Sequence, residues 1–106
     1  MQLRVATLLD VPALVAMGAE FIQEAPNYKS RPYFSDQAAI HFTSVIKGGG
    51  VVLVVEHDDQ LIGGFVGRIG GDWFNHMKIA FDDCLYVKPE FRKSRAAYML
   101  VKGFIN

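Results

Sequence analysis

The sequence predicts a mixed α/β (α+β) domain with elements in the order β-α-α-β-β-β-α. Three observations predict it. Apolar residues recur with the 3.6-residue period of a helix in three separate stretches. Between the second and third of these lies a continuous β-branched run that turns and returns. A segment of period-two alternation then leads into the last helical stretch.

Leu3 to Thr7 alternates and reads as a short first strand. Asp10 stands where an N-cap belongs, with Pro12 in the first turn after it. Val11, Leu14, Val15, Gly18, Phe21 and Ile22 then form one helical stripe, ended by Ala25-Pro26-Asn27. The stretch from Asn27 to Phe34 is loop-like. Ser35 is placed to cap a second helix whose apolar face is Ala39, Phe42, Val45 and Ile46, and Gly48 is placed to end it. Val51 to Val55 reads as a strand buried on both faces, and His57 to Gln60 as a turn. Leu61 to Ile69 returns antiparallel to it, with Gly63, Gly64 and Gly67 marking bulges or close backbone approach. After a Gly70-Gly71-Asp72 turn, Ile79 to Val87 alternates, with Ile79, Phe81, Asp83, Leu85 and Val87 on one face. From about Arg95, the residues Ala97, Leu100, Val101, Phe104 and Ile105 make the third helical stripe.

Composition narrows the function classes. The 106 residues carry 11 basic and 11 acidic side chains, a formal net charge of zero, and 51% are hydrophobic. That length is expected to form one domain over residues 1–106, and the composition is that of a folded chain rather than a disordered one. A neutral chain has no electrostatic footprint for nucleic acid or an anionic membrane, so neither is expected as a partner. The longest apolar run, Val51 to Val55, is far short of the ~20 residues of a membrane span. One cysteine, Cys84, excludes an internal disulfide and a multi-thiolate metal site, and a reducing cytoplasmic setting is the expectation. The three histidines have no metal-ligand spacing, so no metal is expected. His41 and His57 read as surface residues, and Cys84 as a buried inert thiol.

The chemistry concentrates in Cys84-Leu85-Tyr86-Val87-Lys88-Pro89-Glu90-Phe91-Arg92-Lys93-Ser94-Arg95-Ala96-Ala97. This segment resembles the cofactor motif of the GCN5-related N-acetyltransferases (GNAT family), where a strand ends in Val-x-Pro-Glu-(aromatic)-Arg and an Arg/Gln-x-x-Gly-x-Gly/Ala loop leads into a helix. Val87, Pro89, Glu90, Phe91 and Arg92 supply the phrase and Ala97 closes the loop. The opening Arg4-Val5-Ala6-Thr7 and Asp10 to Leu14 is similar to the usual start of the family. The resemblance implies a mixed, mainly antiparallel sheet flanked by helices. It also implies that the second half of the final crossover is missing, so the fold is expected to be C-terminally incomplete.

The resemblance implies acetyl-CoA as cofactor. A loop running into a helix N-terminus presents unpaired N–H donors and the positive end of a helix dipole to a pyrophosphate. Arg92, Lys93 and Arg95 add three positive charges within four residues, and Ser94, Ala96 and Ala97 complete the loop. Leu85, Tyr86 and Val87 would offer strand backbone to the pantetheine arm. The departure from the pattern is Arg95, which stands at the first glycine of the loop; a β-carbon there is compatible with negative φ but not with positive φ. The alternative is an ordinary basic strand-to-helix connection.

Amine acetylation needs a general base to deprotonate the ammonium. Asp83, on an otherwise apolar face, is the first candidate, and a bulge would reverse the parity and make Asp82 the inward residue. The general acid of many relatives is a tyrosine beyond the crossover strand, past Asn106, and Tyr98 does not take that role by analogy. Tyr28, Tyr33 and Trp73 are candidates to line the acceptor pocket, with edge packing as their alternative. The expected activity is acetyl transfer to an amine, of a small molecule or a protein. The alternative is a non-catalytic acyl-CoA- or protein-binding relative. An exposed last strand edge and third helix would favour a homodimer.

Overall fold

A computed structural model describes the backbone of residues 1–25, 30–71 and 78–105, and their side chains except those of 49, 69–71 and 78–83. The elements are β1 (Gln2–Val5), α1 (Val11–Glu24), α2 (Ser35–Ser44), β2 (Gly50–His57), β3 (Gln60–Gly71), β4 (Lys78–Val87) and α3 (Ala96–Ile105). The strands form one four-stranded sheet in the order β1-β2-β3-β4, with every neighbouring pair antiparallel. The predicted element order and mixed, antiparallel architecture are what the chain adopts.

Strand β2 is central because both of its faces are apolar. Val52 and Val54 enter one core with Leu14 and Met17 of α1, Phe42 of α2, Val66 of β3 and Tyr86 of β4. Leu53 and Val55 enter a second core on the opposite face with Phe65, Val87, and Ala96 and Leu100 of α3. The sheet is thus sandwiched, with α1 and α2 on one side and α3 on the other. The β2–β3 turn tightens to Asp58 and Asp59, whose φ values of 52° and 64° suit a two-residue antiparallel hairpin. Glycine at position 67 lets α3 lie close to the sheet, because a Cβ there would stand 2.3 Å from the Phe104 ring.

Several local expectations shift. Asp10 holds the N-cap position of α1 as expected, but without a side-chain capping hydrogen bond. It closes a 3₁₀ turn, Leu8–Asp10, whose N-cap is Thr7, and its carboxylate accepts the Thr7 amide at 2.8 Å. The same carboxylate accepts both Nη atoms of Arg4, at 2.7 and 2.9 Å, while Arg4 Nε donates to Glu56 at 3.1 Å. A strand residue six positions away therefore outcompetes the helix amides for Asp10. Ser35 is the first helical residue of α2, and Phe34 takes the cap position. Helix α2 unwinds through a π-turn over Val45–Gly49, where Gly48 has φ of 157°, the conformation expected of a terminating glycine.

The third helix is rotated relative to its predicted stripe. Ala96 and Leu100 are buried, whereas Val101 and Ile105 are exposed. The alternation of β4 is also interrupted. Cys84 pairs with Val66 but Asp82 pairs with the next residue, Gly67, leaving Asp83 as the extra residue of a β-bulge. Strict alternation from Ile79 to Val87 therefore does not hold.

Candidate functional site at the end of β4

Strand β4 is an edge strand among the described residues, so half of its backbone groups face away from the sheet. Lys88 N donates to Ile62 O at 2.8 Å, which fixes the phase of the ladder. From the register, Tyr86 with Gly64 and Cys84 with Val66 are the hydrogen-bonded pairs, and Leu85 and Val87 occupy the alternate positions. The N–H and C=O of Leu85 and the N–H of Val87 consequently point outward. The C=O of Val87 accepts Arg92 Nε at 2.9 Å.

The chain then turns through Pro89–Phe91 into the loop that starts α3. The Ser94 hydroxyl donates to Phe91 O and accepts the Ala96 amide at 3.2 Å, which ties the loop to the helix start. Met99 N donates to Arg95 O at 2.9 Å, so Arg95 is the last residue before the helix. The amides of Ala97 and Tyr98 have no acceptor among the described residues, as the first turn of a helix requires. Arg95 is not among the residues with positive φ, so its β-carbon is accommodated where a glycine was the expected residue. Lys93 and Arg95 are exposed and make no ion pair among the described residues.

Arg92 is differently placed. Besides the Val87 carbonyl, its guanidinium holds the carboxylate of Glu24 at the end of α1 and lies 5.5 Å from the centre of the Tyr86 ring. It braces the loop against the sheet and α1. A groove runs between these parts, with Phe21, Glu24 and Ala25 on one wall and Leu85, Val87 and Arg92 on the other. Burial, then the carboxylates of Glu20 and Glu24, push the Tyr86 phenol above its ordinary value, so it stays neutral near pH 7.

No protein-family model matches the chain, and no curated protein matches it in sequence. Solved structures do match. An integron cassette protein from the mobile metagenome of Cole Harbour Salt Marsh superposes with a TM-score of 0.84 at 24% identity, over 96% of this chain and 66% of that one. A ribosomal-protein-alanine N-acetyltransferase from Brucella melitensis gives 0.75 at 21% identity, over 99% and 65%. An aminoglycoside 6'-N-acetyltransferase from Acinetobacter haemolyticus gives 0.78 at 16% identity, over 99% and 69%. The fold is that of the GNAT acetyltransferases. The chain spans about two thirds of the length of these structures.

Within that GNAT fold, the residues from Leu85 to Ala97 come together as strand end, loop and helix start. Asp82 and Asp83 lie at the β4 bulge in the backbone, and their side chains are outside the described residues. Tyr28 and Trp73 are outside them as well. Tyr33 is turned into the helix layer, where its hydroxyl donates to Val15 O at 2.8 Å and burial raises its pKa. Cys84 is only partly buried. Among the described residues, no helix is long and apolar enough to cross a membrane. Glu24 is the neighbour of the loop that sequence reading missed. No local signal marks it, since it meets Arg92 across 68 positions.

Proposed function

We propose that this chain is an acetyl-CoA-dependent N-acetyltransferase domain that serves an amine acceptor, a small molecule or a protein. The observation carrying this reading is a pair of neighbouring sets of unpaired backbone groups joined by one short loop. The first is the outward N–H and C=O of Leu85 and N–H of Val87 on the edge of β4, and the second is the amides of Ala97 and Tyr98 at the start of α3. An arm rich in amides needs strand-like partners, and a pyrophosphate needs helix-start donors with nearby cations. The first need is met by Leu85 and Val87. The second is met by the amides of Ala97 and Tyr98, flanked by Lys93 and Arg95. Ser94 and Ala96 fix the loop, and Arg92 braces it.

Acetyl-CoA, when bound, supplies an acyl group activated as a thioester. Asp83 or Asp82, at the bulge, is assigned to take a proton from the acceptor ammonium, directly or through water. Tyr28 and Trp73 are assigned to the acceptor side, in a cytoplasmic setting, whereas Tyr33 packs into the helix layer against α1. A second reading keeps the same groove as an acyl-CoA-binding module without catalysis. Thermal unfolding during a CoA titration tests the common part of both. Ligand at 100 times its Kd adds about 2.7 kcal/mol, which for a domain of this size raises Tm by roughly 10 °C or more. No shift at millimolar CoA overturns both readings. Thiol release with a panel of amines then separates enzyme from binder.

A further inference from the structure

The groove beside β4 adjoins a second space that the acetyl group does not require. Between the helices and the sheet lies a cavity of about 30 Å³, walled by Leu14, Met17 and Phe42 above and by Gly64, Val66 and Cys84 below, with no polar surface. Phe21 and Tyr86 line both this cavity and the groove, and their rings meet edge to face at 6.2 Å. They form the partition between the two. The lining residues that keep partial exposure are Gly18, Phe21 and Cys84, so the mouth opens toward the β4 side.

We infer that this cavity is an acyl-chain subsite that favours an acyl group one or two carbons longer than acetyl, propionyl or butyryl. The inference rests on the acyl-CoA reading of the groove. An arm held by Leu85 and Val87, with its phosphates at the start of α3, has its far end beside Cys84, next to the mouth. A lining that presents no polar surface is a poor site for an acceptor ammonium and a good one for methylene groups. At roughly 10–15 Å³ for each water-sized group, the space takes about two such groups. Gly64 keeps it open: a Cβ there would make ordinary contact with Met17 Cε at 3.6 Å and Leu14 Cδ2 at 3.7 Å, filling space without a clash.

Calorimetric titration of the 106-residue chain with CoA, acetyl-CoA, propionyl-CoA and butyryl-CoA tests this. Propionyl-CoA is expected to bind about fourfold more tightly than acetyl-CoA, the gain from burying one methylene. In Gly64→Ala the propionyl-to-acetyl affinity ratio falls toward one. In Cys84→Ala, which deepens the cavity, the ratio of butyryl-CoA to propionyl-CoA rises; this variant decides the matter if Gly64→Ala does not fold by circular dichroism. If CoA binds but propionyl-CoA gains nothing over acetyl-CoA, or neither variant moves the ratios, the subsite is overturned and the cofactor reading stands. If neither CoA nor any acyl-CoA binds, the cofactor reading itself fails and the subsite with it.

Discussion

Asp10 accepts hydrogen bonds from both Nη atoms of Arg4 and from the Thr7 amide while its side chain stays only 11% exposed. The Arg4 hydrogen bonds, partly opposed by burial, hold its carboxyl below the ordinary value. Stability from this group is therefore complete above the unfolded carboxylate value of about 3.9, and fades as pH falls through the lower folded value. Asp10→Asn is expected to lose about 2 kcal/mol at pH 7 in urea unfolding. The gap to wild type should narrow on acidification below about pH 4; a gap independent of pH would contradict the pairing. Arg95 makes a different prediction. Its φ is not positive, so Arg95→Gly relieves no strain and should not tighten CoA binding. Arg95→Glu reverses a charge beside the helix start and should weaken CoA about tenfold or more, less so at high salt. Tighter binding by the glycine variant would mean that the arginine obstructs the loop. At the bulge, replacing the working base with asparagine should lower kcat by about 10²–10⁴-fold while leaving the CoA affinity intact. Asp83→Asn and Asp82→Asn, compared in one assay, identify which carboxylate it is.

At the scale of elements, Gly50 governs how β2 enters the sheet. A Cβ on Gly50 would lie 2.2 Å from Gly67 O and 2.9 Å from Arg68 Cα, both backbone atoms that cannot swing aside. Gly50→Ala should thus cost about 1–3 kcal/mol. Gly67→Ala meets a phenylalanine ring, which can tilt, and should cost less; the order of the two midpoints in urea checks the argument. These contacts also explain what sequence could and could not reveal. The element order was legible because the stripes of α1 and α2 and the valine run of β2 are local patterns. The loop from Val87 to Ala97 was legible because its residues are contiguous. The buried face of α3 was not, since the helix carries apolar residues on several sides, and its rotation is set by space over Gly67 and against Leu3. Gly103 approaches Leu3 so closely that a Cβ would stand 2.7 Å from its Cδ2. The brace of Arg92 on Glu24 and the capture of Asp10 by Arg4 were likewise invisible, because each depends on which distant residue arrives first. Met17, buried at 5% exposure, fell outside the predicted stripe of α1 for a related reason. The second helix widens the face that α1 must bury.

For the molecule as a whole, the two sides of the sheet are covered unequally. Helices α1 and α2 share one side, while the single helix α3 covers the other and leaves Tyr98, Val101 and Ile105 exposed, Ile105 most of all at 77%. A formal net charge of zero provides no long-range repulsion between copies. Pairing through the outer face of α3 would bury these side chains, so the homodimer expected from the sequence is predicted to form there rather than along β4. The two modes give opposite results. A dimer through α3 leaves the outward groups of Leu85 and Val87 free, so CoA should bind dimer and monomer alike. A dimer through the β4 edge occupies the same groups, and linkage requires CoA to weaken it by the factor by which dimerisation weakens CoA. Sedimentation velocity across a concentration series, with and without CoA, separates them. The expected outcome is a dimer that CoA does not dissociate and that Ile105→Lys converts to a folded monomer with unchanged circular dichroism, because within the single chain that side chain is already mostly in solvent. A monomer at the highest concentration of the series would remove the homodimer and leave the apolar face of α3 without a role in self-association.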